Sequence, residues 1–155
     1  MRLELVHPMV IHFPIVFAIS LFALDSFALV RGQSLSARSP FGKASAVLAI
    51  AAGISAGIAF VFGDRAYDIA LAVGKVPHAV LETHQDLGMM TALALGGWAV
   101  VRALAAWQSI EFGGLGRLIV VAVQGVLVVV VLATAWFGGQ LVYDHGVAVV
   151  IQSGT

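Results

Sequence analysis

Four long apolar runs alternate with three polar stretches along the chain. The runs cover about residues 10–30, 44–62, 87–107 and 118–142. Each reaches the roughly 20 residues that a helix needs to cross a bilayer. Inside a membrane only helices and closed barrels satisfy their backbone polar groups. A barrel strand alternates apolar and polar positions. The unbroken apolar segment 126–133 does not, so the pattern predicts helices. The expectation is an all-α integral membrane protein. Residues 1–155 form one up-down-up-down four-helix bundle with both termini on the same side.

Composition strengthens this reading. Hydrophobic residues make up 61% of the chain and charged residues only 10%, against roughly 25% charged in a soluble domain. So few charges cannot cover a water-facing surface, and the partner of the outer surface is the lipid bilayer. Eight basic residues balance eight acidic ones, which leaves no basic excess for nucleic acid. The chain has no cysteine. Disulfides, thiolate-held iron–sulfur clusters, covalent haem and thiolate zinc sites are thereby excluded. The opening Met1-Arg2-Leu3-Glu4 lacks the basic region of a cleaved signal, so the first helix is expected to remain as an anchor.

The linkers differ in character. The first, 32–42, is polar and free of acidic residues. The second, 64–86, is longer and mixed in charge, and 67–73 reads as a short interfacial helix ended by Gly74. The third, 109–116, is short, with Gly113, Gly114 and Gly116. Arg31, Arg38, Lys43, Arg102 and Arg117 flank the first and third linkers. Arg2, Arg65 and Lys75 fall on the other side, among Glu4, Asp64, Asp68, Glu82, Asp86 and Asp144. Basic residues concentrate on the cytoplasmic side. The expected topology therefore has extracytoplasmic termini, in a bacterial inner membrane. Gly53 and Gly57 form a small-xxx-small pair, which predicts close helix packing within the chain, or alternatively an oligomer face.

All five histidines map to the predicted outer side. His7 and His12 open the first helix, His78 and His84 lie before and at the start of the third, and His145 follows the fourth. A haem b held by two histidines needs imidazoles on opposing helices, with small residues where the porphyrin edge passes. His84 and Gly88 share a helix face, and His12 lies in the first turns of helix one. His12 and His84 are the expected axial pair, with His7 and His145 at a second site or in support. The same imidazoles with Asp64 or Asp86 suit zinc or copper. Pro8 and Pro14 predict either a helix start near Phe13 or a kink there, freeing carbonyls close to His12. Deeper in the membrane stand Asp25, Arg102 and Gln124. Buried intramembrane charges are usually paired, so Asp25 and Arg102 read as a structural ion pair.

No phosphate-binding loop with lysine and no His-Glu-x-x-His motif is present, which favours an electron-transfer or binding protein over a catalyst. His7-Pro8-Met9 with His12-Phe13-Pro14, His84-x-x-Leu87-Gly88, and Leu141-Val142-Tyr143-x-His145-Gly146 together resemble the bacterial membrane family catalogued as domain of unknown function 2231. The resemblance spans nearly the whole chain. It implies four helices in this order and carries the family's histidine pattern onto His7, His12, His84 and His145. His78 has no counterpart, and Asp86 stands where relatives often have an aromatic residue. Some relatives are joined to cytochrome-like or iron–sulfur modules, which implies electron transfer with membrane or periplasmic redox partners. The leading expectation is a haem b protein of this kind. The alternatives are a zinc or copper protein and a cofactor-free accessory subunit.

Overall fold

The structure is a computed structural model that describes residues 6–74 and 76–147. Arg2, Glu4 and Lys75, used above to orient the chain, lie outside them. The described residues form α1 (Val6–Val10), α2 (His12–Val30), α3 (Pro40–Val73), α4 (His78–Trp107) and α5 (Gly114–Tyr143). Helices α1 and α2 together make one span, Val6–Val30, and α3, α4 and α5 are each long and apolar enough to cross a membrane. The break at Ile11 sits one turn before Pro14, whose ring nitrogen cannot donate to the carbonyl four residues earlier. The longer helix thus starts at His12, beside Phe13 as foreseen, with the short α1 before it.

Each helix packs on its chain neighbours, and α5 closes the ring against α2. Helices α2 and α4 therefore lie on one diagonal of the bundle, and α3 and α5 on the other. The start of α1 and the end of α5 share one end of the bundle, as four antiparallel passes require.

Packing inverts the order of a soluble protein. The buried residues of α3 are Gly42, Ser45, Ala46, Ala49, Ala52, Gly53, Ala56 and Ala59, all small. Its large residues Val47, Ile50, Ile54, Ile58 and Val61 face outward. Lipid tails are as apolar as leucine, so helices associate through close van der Waals approach, which small residues permit. The two glycines of the small-xxx-small pair divide on this point. A Cβ on Gly53 would lie 2.6 Å from the Ala99 Cβ, whereas one on Gly57 would meet nothing within 4 Å. Gly53→Ala is therefore expected to destabilise the bundle by about 1–3 kcal/mol through overpacking. Gly57→Ala is expected to be neutral or stabilising, because alanine is the better helix former. Unfolding of both variants in mixed micelles checks this contrast.

Two helix boundaries differ from the sequence expectation. Helix α3 does not stop near residue 62 but continues to Val73, and α4 begins at His78 rather than near Leu87. The segment 67–73 is thus part of α3 and not a separate interfacial helix. Gly74 does end it, in the left-handed conformation (φ 67°) that glycine adopts without a Cβ penalty. At 34 residues α3 is about 51 Å long, well over the roughly 30 Å of a hydrocarbon core. Asp64, Arg65, Asp68, Glu82 and Asp86 all fall on the added turns and are exposed. The α3–α4 hairpin therefore stands clear of the apolar layer at the end of the bundle that carries His7. Gln85 donates to Asp64 Oδ1 at 2.7 Å and ties the two helices there.

At the opposite end, Ser39 caps α3 by accepting from the Gly42 N–H at 3.0 Å, with Pro40 in the first turn. The first and third linkers are joined by Arg117 Nη1 donating to the Gln33 carbonyl at 2.9 Å and by Ser34 Oγ donating to Glu111.

Candidate functional site: a histidine pair across the bundle

At the open end of the bundle His7 and His84 meet. Their ring centroids are 6.2 Å apart with the planes at 73°. They come from α1 and α4, which make no backbone approach to each other, so the side chains alone span the gap. Each ring rests on a glycine of a third helix. Gly63 lets His7 reach α3, where an added Cβ would lie 2.8 Å from His7 Cε1. Gly138 does the same for His84 on α5, at 2.9 Å from its Cε1.

The close approach at Gly63 brings His7 Nδ1 to 2.9 Å from the Ala59 carbonyl, one turn earlier on α3. A carbonyl oxygen only accepts, so Nδ1 carries the proton and Nε2 keeps its lone pair. That is the arrangement in which a histidine serves as a ligand, its second nitrogen held by a backbone acceptor. His84 Nδ1 is buried with no hydrogen-bond partner. Below this level Thr91 and Thr134 hydrogen-bond at 2.7 Å and join α4 to α5. Gly88, one turn along α4 from His84, has open space where a side chain would stand.

The other histidines are placed differently. His12 was expected to face the bundle opposite His84, but it is exposed. The five residues from His7 to His12 turn a helix by about 140°, so when His7 points inward His12 points out. His78 is exposed and lies 3.3 Å from Glu82, one turn on. His145 is half-buried just past α5. Gly146 closes that helix in the left-handed conformation and donates to the Val142 carbonyl. Asp86 is exposed, and Asp64 is engaged by Gln85. Among the described residues no three histidine, aspartate or glutamate side chains come together as a metal set would. Gly63 and Gly138 were not singled out from the sequence. Their signal was present: each lies next to an aromatic residue in a run otherwise rich in large apolar side chains.

The second polar group lies deeper. Asp25, Ser45, Arg102 and Gln124 come one from each spanning helix and are 0%, 0%, 2% and 1% exposed. Asp25 Oδ2 accepts from Ser45 Oγ at 2.7 Å and from Gln124 Nε2 at 2.8 Å. Arg102 Nη2 lies 3.7 Å from the same oxygen and donates to Ser45 Oγ. The hydroxyl thus stands between the two charges. Ser45 was missed in the sequence because it lies within the small-residue stripe of α3. The Phe112 ring covers the guanidinium, with 5.5 Å between Arg102 Cζ and the ring centroid.

The family model described as "Predicted membrane protein (DUF2231)" matches residues 4–151. The chain belongs to that family and is a multi-pass membrane protein. No curated protein and no solved structure matches it.

Proposed function

We propose that this protein binds haem b through His7 and His84 at its outer end and passes electrons between membrane and periplasmic redox partners. The observation that carries the reading is that two imidazoles, and only two among the described residues, face each other across the bundle. A porphyrin supplies four nitrogens of its own and asks the protein for one or two axial ligands. Zinc and copper sites ask for three or four protein ligands, which this pair does not provide. His7 and His84, with ring centres 6.2 Å apart, are the residues that would hold the haem iron.

When bound, the haem supplies one-electron chemistry. The chain's own residues do the rest. The Ala59 carbonyl holds the His7 proton on Nδ1, and Gly63 and Gly138 set how deep each ring sits. The test is the absorption spectrum of the purified protein, oxidised and reduced, together with its metal content.

The proposed orientation places the histidine end outside the cytoplasm. Arg102 is buried in the bundle and no longer counts as a flanking charge. Arg31, Arg38, Lys43 and Arg117 remain at the other end, and the linker 32–42 has no acid. Reporter fusions at Arg38 and Glu111 are expected to read cytoplasm, and a fusion at Gly74 the outside. The reverse pattern would move the histidines to the cytoplasmic face.

A further inference from the structure

The apolar interior of the bundle is divided in two. One cluster centres on Ala18, Ala52, Ala56, Leu95, Leu127 and Val131, the other on Ala28, Leu35 and Val120. In the order of α2 and α5 the layer of Asp25, Ser45, Arg102 and Gln124 lies between them: Ala18, Asp25, Ala28 on one and Val120, Gln124, Leu127 on the other. Trp98 packs against both clusters and so spans that layer, one turn before Arg102 on α4.

The hydrogen bonds within the layer leave a remainder of both signs. Arg102 Nε and Nη1 and Trp98 Nε1 are buried donors without a partner in the protein. Asp25 Oδ1 and Gln124 Oε1 are buried acceptors without one. Inside a bilayer such groups find no solvent, and leaving their hydrogen bonds unmade is unfavourable. A bound cation would serve the two acceptors but repel the guanidinium. An anion would serve the guanidinium but repel the carboxylate. A species that both donates and accepts suits atoms of both kinds, and buried waters in proteins typically make about three such bonds.

We propose that this layer is an internal water-binding site, with water bridging Arg102 and Trp98 to the free oxygens of Asp25 and Gln124. The site is separate from the histidine pair, because the first apolar cluster lies between them. The charged pair is then solvated from within, and the inner half of the bundle holds exchangeable protons in the middle of an apolar layer. The proposal does not depend on a cofactor at the histidines.

The experiment is magnetisation transfer from water to the Trp98 Nε1–H and Arg102 Nε–H protons, measured on the full nitrogen-15-labelled chain in lipid nanodiscs. Both protons are expected to show through-space transfer from water. In the variant Asp25→Leu/Arg102→Met/Gln124→Leu, which makes the layer apolar, the Trp98 transfer is expected to vanish. Absence of transfer to both protons in the wild type overturns the proposal, because the layer is then dry and its atoms pair in another way. Persistence of the Trp98 transfer in the apolar variant also overturns it, because water then reaches the indole by another route. Should the triple variant not fold, Gln124→Leu alone keeps the charge pair and removes one acceptor. It is expected to weaken the Trp98 signal, and an unchanged signal counts against the site.

Discussion

Under the proposed haem reading, His7→Ala and His84→Ala are each expected to abolish a low-spin haem spectrum, whereas His12→Ala and His78→Ala leave it intact. The first two remove an imidazole of the facing pair, and the last two remove exposed side chains. Support for the ligands is expected to matter almost as much. Gly63→Ala places a Cβ 2.8 Å from His7 Cε1 and pushes the ring off the Ala59 carbonyl. Loss of such a partner lowers metal affinity by about 10–100-fold, so haem content after purification should fall by about that range. Gly138→Ala acts in the same way on His84. A spectrum lost in His12→Ala but kept in His7→Ala would refute the pair. A colourless protein with stoichiometric zinc or copper would replace haem with a metal site. A folded protein with neither would leave an accessory subunit as the reading.

The four spans were legible because lipid selects for apolar length, and that signal survives without any knowledge of neighbours. The extension of α3 beyond residue 62 and of α4 before Leu87 was not. Asp64 to Asp86 reads as a linker because charges end a membrane span, yet a helix leaving the membrane tolerates charges and stops only where Gly74 and Pro77 stop it. The choice between His7 and His12 was legible but not drawn. Asp25 is buried on the inward face of α2, and His7 lies about five helical turns before it on the same face, whereas His12 is turned away from that face. Gly63 on α3 then makes the room that the inward His7 ring occupies. Asp25, Arg102 and Gln124 stood out as polar residues in apolar runs. Ser45 did not, because serine is ordinary in a small-residue stripe. Its role appears only when four helices converge.

That convergence sets the largest expected effect on stability. Arg102→Met leaves the Asp25 carboxylate buried with two neutral donors and no counter-charge. Removing one partner of a buried pair costs about 3–5 kcal/mol, so the variant should unfold at much lower denaturing-detergent fraction than the wild type. Asp25→Leu is expected to cost a similar amount, because it strands the guanidinium beneath Phe112 with Ser45 as its remaining acceptor. The double variant should be more stable than the sum of the singles predicts, since an apolar pair of similar volume often replaces a buried ion pair without penalty. The coupling between contacting sites in such cycles runs to about 0.5–3 kcal/mol. Strict additivity would mean that the two charges do not stabilise each other across the Ser45 hydroxyl. Ser45→Ala completes the test: it removes the group that both charges share. It should cost less than either charge variant, because the 3.7 Å contact between Arg102 and Asp25 survives it.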